Sequence, residues 1–363
     1  MFNPKRFAFA RRRRGLSKKR LCDLTGASTR AITAYEASER TPSEEVIKQF
    51  AQVLNFPPEF FHGDDIDEFT GDSASFRSLS RMTAAQRESA LAGGALAVRL
   101  GQWTDARFEL PETSILDFHE GADPEAAAMS LRTAWGLGEK PAANMIHLLE
   151  AHGVRVYSLA EECHEVDAFS LWDGKTPYIL LNTGKNAERG RFDAAHELGH
   201  LVLHRHGNMT GRSAEEQANA FASAFLMPRT AVIARTPASP SLRTIMEARE
   251  IWGVSTVAFA FRLHKIGMLS DWYYHQIMRK LSALGYRSAE KESRPRETSQ
   301  VLRKVFDALR AAGITKSEVA RQLEIYPAEL DKLIFGLIMT GLRGGGSNEP
   351  SPSGRSHLRL VTP

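Results

Sequence analysis

The stretch RFDAAHELGHLVLHRH, from Arg191 to His206, is the part of this sequence from which the fold can be inferred. It places His196 and His200 four residues apart. On an α-helix, residues at this spacing are offset by only about 40° around the axis and by roughly 6 Å along it. Small and apolar residues recur at intervals of three and four, at Phe192, Ala195, Gly199 and Leu203. The pattern predicts an amphipathic helix that presents both imidazoles to a single metal ion.

Glu197 lies between these histidines in sequence and about 100° further round the predicted helix. From there its carboxylate could reach a water molecule beside the metal without binding the metal itself. The H-E-x-x-H spacing is that of a zinc peptidase helix. The alternative is a pair of ordinary helix histidines, since among 12 histidines such a spacing arises by chance on the order of a few per cent of the time.

A third protein ligand is expected on another element, because catalytic zinc usually takes three and leaves the fourth position to water. The segment SAEEQANAFASAFLMP predicts a helix that Ser213 caps and that ends before Pro228. Glu215 falls on its inward face, with Glu216 towards solvent. A carboxylate on an apolar face is costly unless it is paired or binds a metal. The alternative is a solvated first-turn acid favoured by the helix dipole.

Asn219, one turn after Glu215, could accept a hydrogen bond from the second ring nitrogen of a ligand histidine. Peptide hydrolysis also needs a donor for the tetrahedral oxyanion. The sequence leaves that donor open among four side chains: Tyr157, Tyr178, His204 and His206.

These motifs and their spacing resemble the ImmA/IrrE family of bacterial metallo-endopeptidases over roughly residues 130–228. The resemblance is carried by HELGH at 196–200, Glu215-x-x-Ala218-Asn219-x-Phe221-Ala222, and Leu226-Met227-Pro228. It implies His196, His200 and Glu215 as Zn²⁺ ligands and Glu197 as the catalytic acid/base. It also implies a protein substrate, typically a helix-turn-helix repressor whose cleavage releases stress, DNA-damage or mobile-element genes.

Bulk composition indicates a globular protein of two or three domains. The chain has 363 residues, of which 42% are hydrophobic, and no apolar run approaches the roughly 18 to 20 residues of a membrane span. The basic N-terminus lacks the apolar region of a secretory signal. Cys22 and Cys163 are the two cysteines, too few and too distant for a disulfide framework or a cysteine metal site. We therefore expect a cytoplasmic protein without a membrane partner.

Positive charge is concentrated at the N-terminus. Residues 1–62 carry twelve Lys and Arg against six Asp and Glu, although the whole chain has a net charge of only +4. Helices are predicted over Pro4–Arg14, from Leu16 through Leu24, from Ser28 to Tyr35 and over Glu44–Leu54, with a tight turn at Gly26. Their shared core is predicted to comprise Leu21, Leu24, Ile32, Val46, Phe50 and Leu54. This is the element order of a helix-turn-helix module.

The segment TGASTRAITAYEASERTPS, from Thr25 to Ser43, resembles the XRE-type repressor DNA-binding domain. The resemblance implies that Ser28, Thr29, Arg30 and Thr33 face base edges, where Arg30 could read a guanine. Phosphate contacts are expected from Ser17, Lys18, Arg12 and Arg40. The alternative is a basic helical bundle that contacts only protein.

The predicted fold class is a multi-domain, mostly α protein with a central α+β zincin-like domain. Three strands are expected before the HELGH helix, over Val154–Leu159, Ala168–Trp172 and Tyr178–Leu181, and a helix over Phe76–Arg107. An edge of that sheet is expected to accept an extended peptide. The expected divisions are a helix-turn-helix domain at 1–62, a linker and helical connector at 63–130, a metallopeptidase domain at 131–228, a helical region with helix-turn-helix-like segments at 229–343 and a disordered tail at 344–363.

The function expected from these features is that of a DNA-binding zinc metallo-endopeptidase that regulates transcription. Its expected partners are double-stranded operator DNA and a helix-turn-helix repressor as substrate, with a second copy of the chain as a further candidate. The alternative is a DNA-binding regulator whose zincin-like domain senses a ligand or metal without proteolysis. Glu197 favours the enzyme, because a purely structural zinc site would not need that carboxylate.

Overall fold

The computed structural model describes residues 1–69, 74–76, 83–119, 121–159, 166–205, 211–286, 290, 293–334 and 336–338, with the backbone alone at 74–76. These residues form sixteen α-helices, one 3-10 helix and a four-stranded mixed sheet. The predicted multi-domain, mostly α fold is therefore confirmed. His206 and the predicted tail lie outside the described residues. No helix in the described ranges is long and apolar enough to cross a membrane.

The N-terminal module is a bundle of short, well-capped helices. Its elements are α1 (Pro4–Arg13), α2 (Lys18–Thr25), α3 (Thr29–Glu36), α4 (Glu44–Leu54) and a 3-10 helix (Pro58–His62). Ser17 and Ser28 cap α2 and α3 by accepting backbone N–H groups, and Gly26 between them has a φ of 71°, which a glycine adopts without strain. Aromatic rings of Phe7, Tyr35 and Phe50 pack in its core.

Leu24 was assigned to this core by its spacing, and that prediction is wrong. Its side chain is 45% exposed, whereas Leu21, one turn earlier, is fully buried. The buried face of α2 passes through Leu21 and Thr25, four residues apart, and Leu24 lies outside that face on the final turn.

The central region contains the predicted strands and one that was not predicted. The strands are β1 (Ala74–Phe76), β2 (Arg155–Ser158), β3 (Ala168–Asp173) and β4 (Thr176–Leu181), in the spatial order β1-β3-β4-β2. β2 and β4 are parallel, whereas β3 is antiparallel to both β4 and β1. Phe76, expected to begin a helix, therefore belongs to a strand, and α5 runs over Ala84–Asp105.

Helix α5 packs closely on one face of the sheet because two of its glycines face β3 and β4. A Cβ at Gly94 would lie 3.0 Å from the Phe169 ring, and one at Gly101 would lie 2.4 Å from the Tyr178 hydroxyl. The opposite face of the sheet is covered by a second helix, α8 (Ala187–Leu203), which contacts β3 and β4. The sheet is thus the middle layer between α5 and the HELGH helix.

The helices α6 (Pro124–Ala134), α7 (Met145–Ala151) and α9 (Arg212–Leu226) complete this region, and α9 packs along α8. Ser213 was predicted to cap α9, but the N-cap is Gly211, two residues earlier, and Ser213 lies within the first turn of the helix. The C-terminal helices are α10 (Arg229–Arg235), α11 (Leu242–Trp252), α12 (Thr256–Lys265), α13 (Asp271–Ala283), α14 (Gln300–Ala311), α15 (Lys316–Gln322) and α16 (Pro327–Ile334).

The C-terminal helices are tied to the N-terminal module by a buried ionic cluster. The Glu329 carboxylate of α16 lies 2.6 Å from a guanidinium nitrogen of Arg13 and 2.7 Å from one of Arg14. Arg13 and Glu329 are both almost fully buried. The arginines at 11–14 therefore form ion pairs within the protein, since Arg11 also pairs with Glu36 and Arg12 with Glu68.

Candidate metal centre and nucleic-acid interface

The candidate metal centre lies where α8 faces α9. Asn186 caps α8 by accepting the Arg189 N–H with its side chain, and the 17 residues of the helix extend without a break through the HELGH segment. His196 and His200 fall one above the other on the face towards α9, and both are buried. Glu215 projects from the first turn of α9 and is a quarter exposed.

Three donor atoms converge at this point. The Nε2 atoms of His196 and His200 lie 3.1 Å apart. The Glu215 carboxylate oxygens lie 3.4 Å from His196 Nε2 and 3.3 Å from His200 Nε2. A tetrahedral ion with ligands at about 2.0 Å has donor atoms separated by roughly 3.3 Å. The chemistry and spacing of these donors thus fit a zinc ion, and within the described ranges this is the one group of three or more metal-binding side chains so arranged.

The second ring nitrogen of each histidine is also engaged. Nδ1 of His196 lies 3.1 Å from Oδ1 of Asn219, the contact anticipated for that asparagine. Nδ1 of His200 lies 2.9 Å from Nδ1 of His204, whose Nε2 is 3.0 Å from Oε1 of Gln217. When the Nδ1–H groups of His196 and His200 donate these hydrogen bonds, the lone pairs of both Nε2 atoms are directed at the candidate metal position.

Glu197 is fully buried, and a residue of the sheet holds its side chain in position. The Ser170 hydroxyl of β3 donates to Oε2 of Glu197 at 2.8 Å and lies 3.3 Å from the Glu197 carbonyl oxygen. A side chain on β3 therefore orients the carboxylate that follows His196. Sequence reasoning missed Ser170, His204 in this bridging role, and Gln217, because no local spacing connects β3 or Gln217 with the HELGH helix.

Electrostatics at this centre follow from burial and from the histidines. Burial raises the pKa of Glu215, but before a metal binds, hydrogen bonds and charge interactions from protonated His196 and His200 outweigh burial and hold that pKa well below its usual value. Glu215 is thus a carboxylate, the form that binds a metal. Burial lowers the pKa of His204, which favours the neutral ring that its bridging position requires.

Of the candidate oxyanion donors that the structure describes, His204 lies beside this centre and the two tyrosines do not. Tyr178 is on the α5 face of the sheet, and its ring stacks with that of Tyr157, with centroids 6.2 Å apart. Both tyrosines are therefore separated from α8 by the sheet. His204 bridges His200 and Gln217, and His206 is outside the described residues.

The predicted DNA-contacting residues lie on or beside α2 and α3, and most are exposed. Arg30, Thr33 and Arg40 have exposed side chains, and within the described chain Arg30 and Arg40 form no side-chain ion pair. Other predicted contacts already have partners: Ser17 and Ser28 serve as helix caps, the Thr29 hydroxyl lies 3.3 Å from Cys22 Sγ, and Lys18 lies 2.9 Å from Glu36.

Two family models match separate parts of this chain. Residues 149–264 match the Peptidase_M78 family model described as an IrrE N-terminal-like domain, and residues 8–61 match the model described as helix-turn-helix. These matches cover the candidate metal centre and the helices α2 and α3.

One curated relative is named an uncharacterized immunity region protein 2 of Bacillus phage phi105. It is 35% identical over 74 residues, which are 18% of this chain and 47% of the relative. The chain therefore spans about half the length of the relative it matches. Together with this relative, the two family models confirm the predicted resemblance: residues 8–61 are similar to XRE-type helix-turn-helix domains and residues 149–264 to the IrrE-like domain of M78 peptidases.

Proposed function

We propose that this chain is a DNA-binding, zinc-dependent metallo-endopeptidase that regulates transcription by cleaving a helix-turn-helix repressor in a stress or mobile-element response. The observation that carries the proposal is the convergence of His196, His200 and Glu215, with the buried Glu197 between the two histidines on one helix. The immunity-region name of the phage relative supports a regulatory setting.

Different residues of the chain would have different roles in peptide hydrolysis. His196, His200 and Glu215 would hold the metal, while Asn219 and His204 keep the two histidine rings in position. When bound, zinc supplies a Lewis acid that polarises a carbonyl group and acidifies water. Glu197, oriented by Ser170, would take the proton of the attacking water and pass it to the leaving amine.

The helix-turn-helix module would take this activity to DNA. Ser28, Thr29, Arg30 and Thr33 of α3 and its cap would face base edges in the major groove, and Ser17, Lys18 and Arg40 would contact phosphates. Operator binding requires a location in the cytoplasm. A second copy of the chain would allow two half-sites to be bound at once.

The second candidate function is that of a non-proteolytic regulator, and contacts of α8 support it. Glu188 in the first turn of α8 accepts hydrogen bonds from Ser293 and from the Arg294 N–H, and Arg191 pairs with Glu297. The C-terminal helices in turn contact α1 through Glu329. The segment that contacts α8 leads into α14, so a ligand or metal that shifts α8 would act on the same C-terminal region that contacts the DNA-binding module through α16.

The experiment compares zinc-loaded wild type with Glu197→Gln. Each is incubated with the helix-turn-helix repressor encoded beside its gene, and cleavage is read from intact mass, with zinc content and operator binding measured in parallel. We expect cleavage at one bond by wild type alone, with zinc bound to both proteins. If both retain zinc and bind operator DNA but neither cuts the repressor, the protease proposal is wrong and the sensor is preferred.

A further inference from the structure

The unpredicted strand β1 lies on the outer edge of β3. Ala74 pairs with Leu171, Ser75 with Ser170 and Phe76 with Phe169, in antiparallel register. Without β1, β3 would be an edge strand with unpaired N–H and C=O groups along one side. Such an edge is a template on which an extended peptide adds as a further strand.

This edge lies beside the candidate catalytic glutamate. Ser75 is directly opposite Ser170, and the Ser170 hydroxyl donates to Glu197 at 2.8 Å. Directly opposed residues of an antiparallel pair have Cα atoms about 4.5 to 5.5 Å apart. The backbone of β1 therefore runs one strand spacing away from the residue that holds Glu197. A peptide bound in its place would run along the same line.

The contact between β1 and β3 is short. β3 pairs with β4 through all six of its residues, from Ala168 to Asp173, but with β1 through only three. A three-residue strand is weakly held, so its advantage over a free peptide is its attachment to the chain. Short tethers of this kind give effective concentrations of the order of millimolar. An incoming peptide able to pair along more of β3 could therefore displace it.

We propose that Ala74–Phe76 of this chain occupies the outer edge of β3 as an intramolecular competitor of the extended substrate segment that would otherwise add there as an antiparallel strand. The identity of the peptide as substrate rests on the proposed function, whereas the competition itself needs no metal. β1 lies between the 3-10 helix of the DNA-binding module and α5. A partner that moves the DNA-binding module would therefore also act on β1 through the chain that joins them.

The test removes β1 from the edge while retaining the rest of the chain. Along a strand, successive N–H groups point to opposite sides, so one of the two at positions 74 and 75 faces β3. The double variant Ala74→Pro with Ser75→Pro removes both and cannot maintain the ladder. Its matched control is Ala74→Ser with Ser75→Ala, which keeps both N–H groups and similar side-chain sizes.

The probe is a fluorescein-labelled synthetic peptide with the sequence of residues 71–79, GDSASFRSL. Its binding to full-length wild type and both variants is measured by fluorescence anisotropy with a chelator present. We expect the proline variant to bind about tenfold more tightly or better, because the tethered competitor is gone. The control should match wild type. Equal affinity of all three proteins overturns the inference.

Hydrogen exchange of the wild type gives a second test that does not depend on the variant folding. The β3 amides that face β1 should be protected, and excess unlabelled peptide should leave them protected by replacing β1. Exchange of these amides as fast as in an unfolded peptide would contradict occupancy of the edge. In the proline variant, the same amides should lose protection, while those facing β4 keep it.

The outcomes separate this inference from the proposed function. Peptide binding is measured without metal, whereas repressor cleavage requires zinc-loaded protein with Glu197→Gln as control. Tighter peptide binding by the proline variant supports the edge competition even if no repressor is cut, in which case only the protease proposal fails. Cleavage by wild type with equal peptide binding in all proteins supports the protease and overturns the competition.

Discussion

Gly199 in α8 lies directly against Ala218 in α9. A Cβ on Gly199 would lie 3.2 Å from the Ala218 Cα and 3.1 Å from the Phe221 ring. Both distances are shorter than ordinary van der Waals contact. The absence of a side chain at Gly199 therefore allows α9 to approach closely enough for Glu215 to meet His196 and His200.

Gly199→Ala should weaken both packing and metal binding. The added methyl group must displace α9 by a few tenths of an ångström, so we expect a loss of about 1 to 3 kcal/mol in the free energy of unfolding. Zinc affinity, measured by competition with a chromophoric chelator, should fall about tenfold because Glu215 moves with α9. The matched control is Gly190→Ala in the same helix, where a Cβ would meet nothing within 4 Å. That substitution should stabilise the protein by about 0.5 to 1 kcal/mol.

Asn219→Ala should lower zinc affinity by about tenfold to a hundredfold, because His196 loses the acceptor that holds its ring. Zinc titration against a competing chelator measures the change. Glu216→Ala on the solvent side of the same helix is the control and should leave affinity unchanged. Identical affinities for both variants would show that Asn219 does not orient His196.

Ser170→Ala should separate catalysis from metal binding. Ser170 contacts the Glu197 carboxylate but none of the three candidate ligands, so zinc affinity and KM should be retained. On the proposed function, kcat for repressor cleavage should fall about tenfold to a hundredfold as the carboxylate loses its orientation. Ser158→Ala provides a comparison, since this buried serine of β2 bonds Thr183 instead. A fall in zinc affinity equal to the fall in kcat would contradict the assigned role.

Arg30→Ala should reduce operator affinity by about tenfold or more, because a bidentate contact to a guanine contributes roughly 1 to 3 kcal/mol of discrimination. The loss should be concentrated at one base pair of the operator.

Arg40→Ala should instead weaken binding to all sequences and reduce the slope of log affinity against log salt concentration by about one. Electrophoretic mobility shifts at several salt concentrations distinguish the two. Arg243→Ala, on exposed α11, is the control.

Glu329→Gln should destabilise the protein in a pH-dependent way. Burial raises the pKa of Glu329, but Arg13 and Arg14 outweigh it and hold that pKa below its ordinary value of 4.5. A depressed folded-state pKa contributes stability that is present above the unfolded value and lost as pH falls through the folded one. We expect a loss of about 3 kcal/mol at pH 7, since one partner of a buried pair is removed.

Urea denaturation at pH 7 and below pH 4.5 measures this effect. The difference between wild type and Glu329→Gln should shrink in acid, as the wild-type carboxylate becomes protonated. Glu318→Gln, in a surface pair with Arg321, should have little effect at either pH. A difference that does not change with pH would indicate that packing, and not charge, holds α16 against α1.

The local features of this protein were determined by its sequence. Spacings of three and four placed His196, Glu197 and His200 on one helix, and short runs rich in β-branched and aromatic residues between polar turns identified β2, β3 and β4. The serine caps at Ser17 and Ser28 and the glycine turn at Gly26 identified the helix-turn-helix. The helices and caps can be predicted from the sequence because the hydrogen bonds within a helix or a cap join residues no more than four positions apart.

Only the tertiary structure decided which distant side chains meet. The contact of Ser170 with Glu197, that of His204 with Gln217, the pairing of Glu329 with Arg13 and the place of β1 beside β3 have no local spacing that predicts them. Each depends on how helices and strands pack, which is governed by the burial of apolar surface over the whole chain. The sequence alone therefore determined the helices that carry the candidate metal ligands, and the packing of α8 between the sheet and α9 determined their geometry.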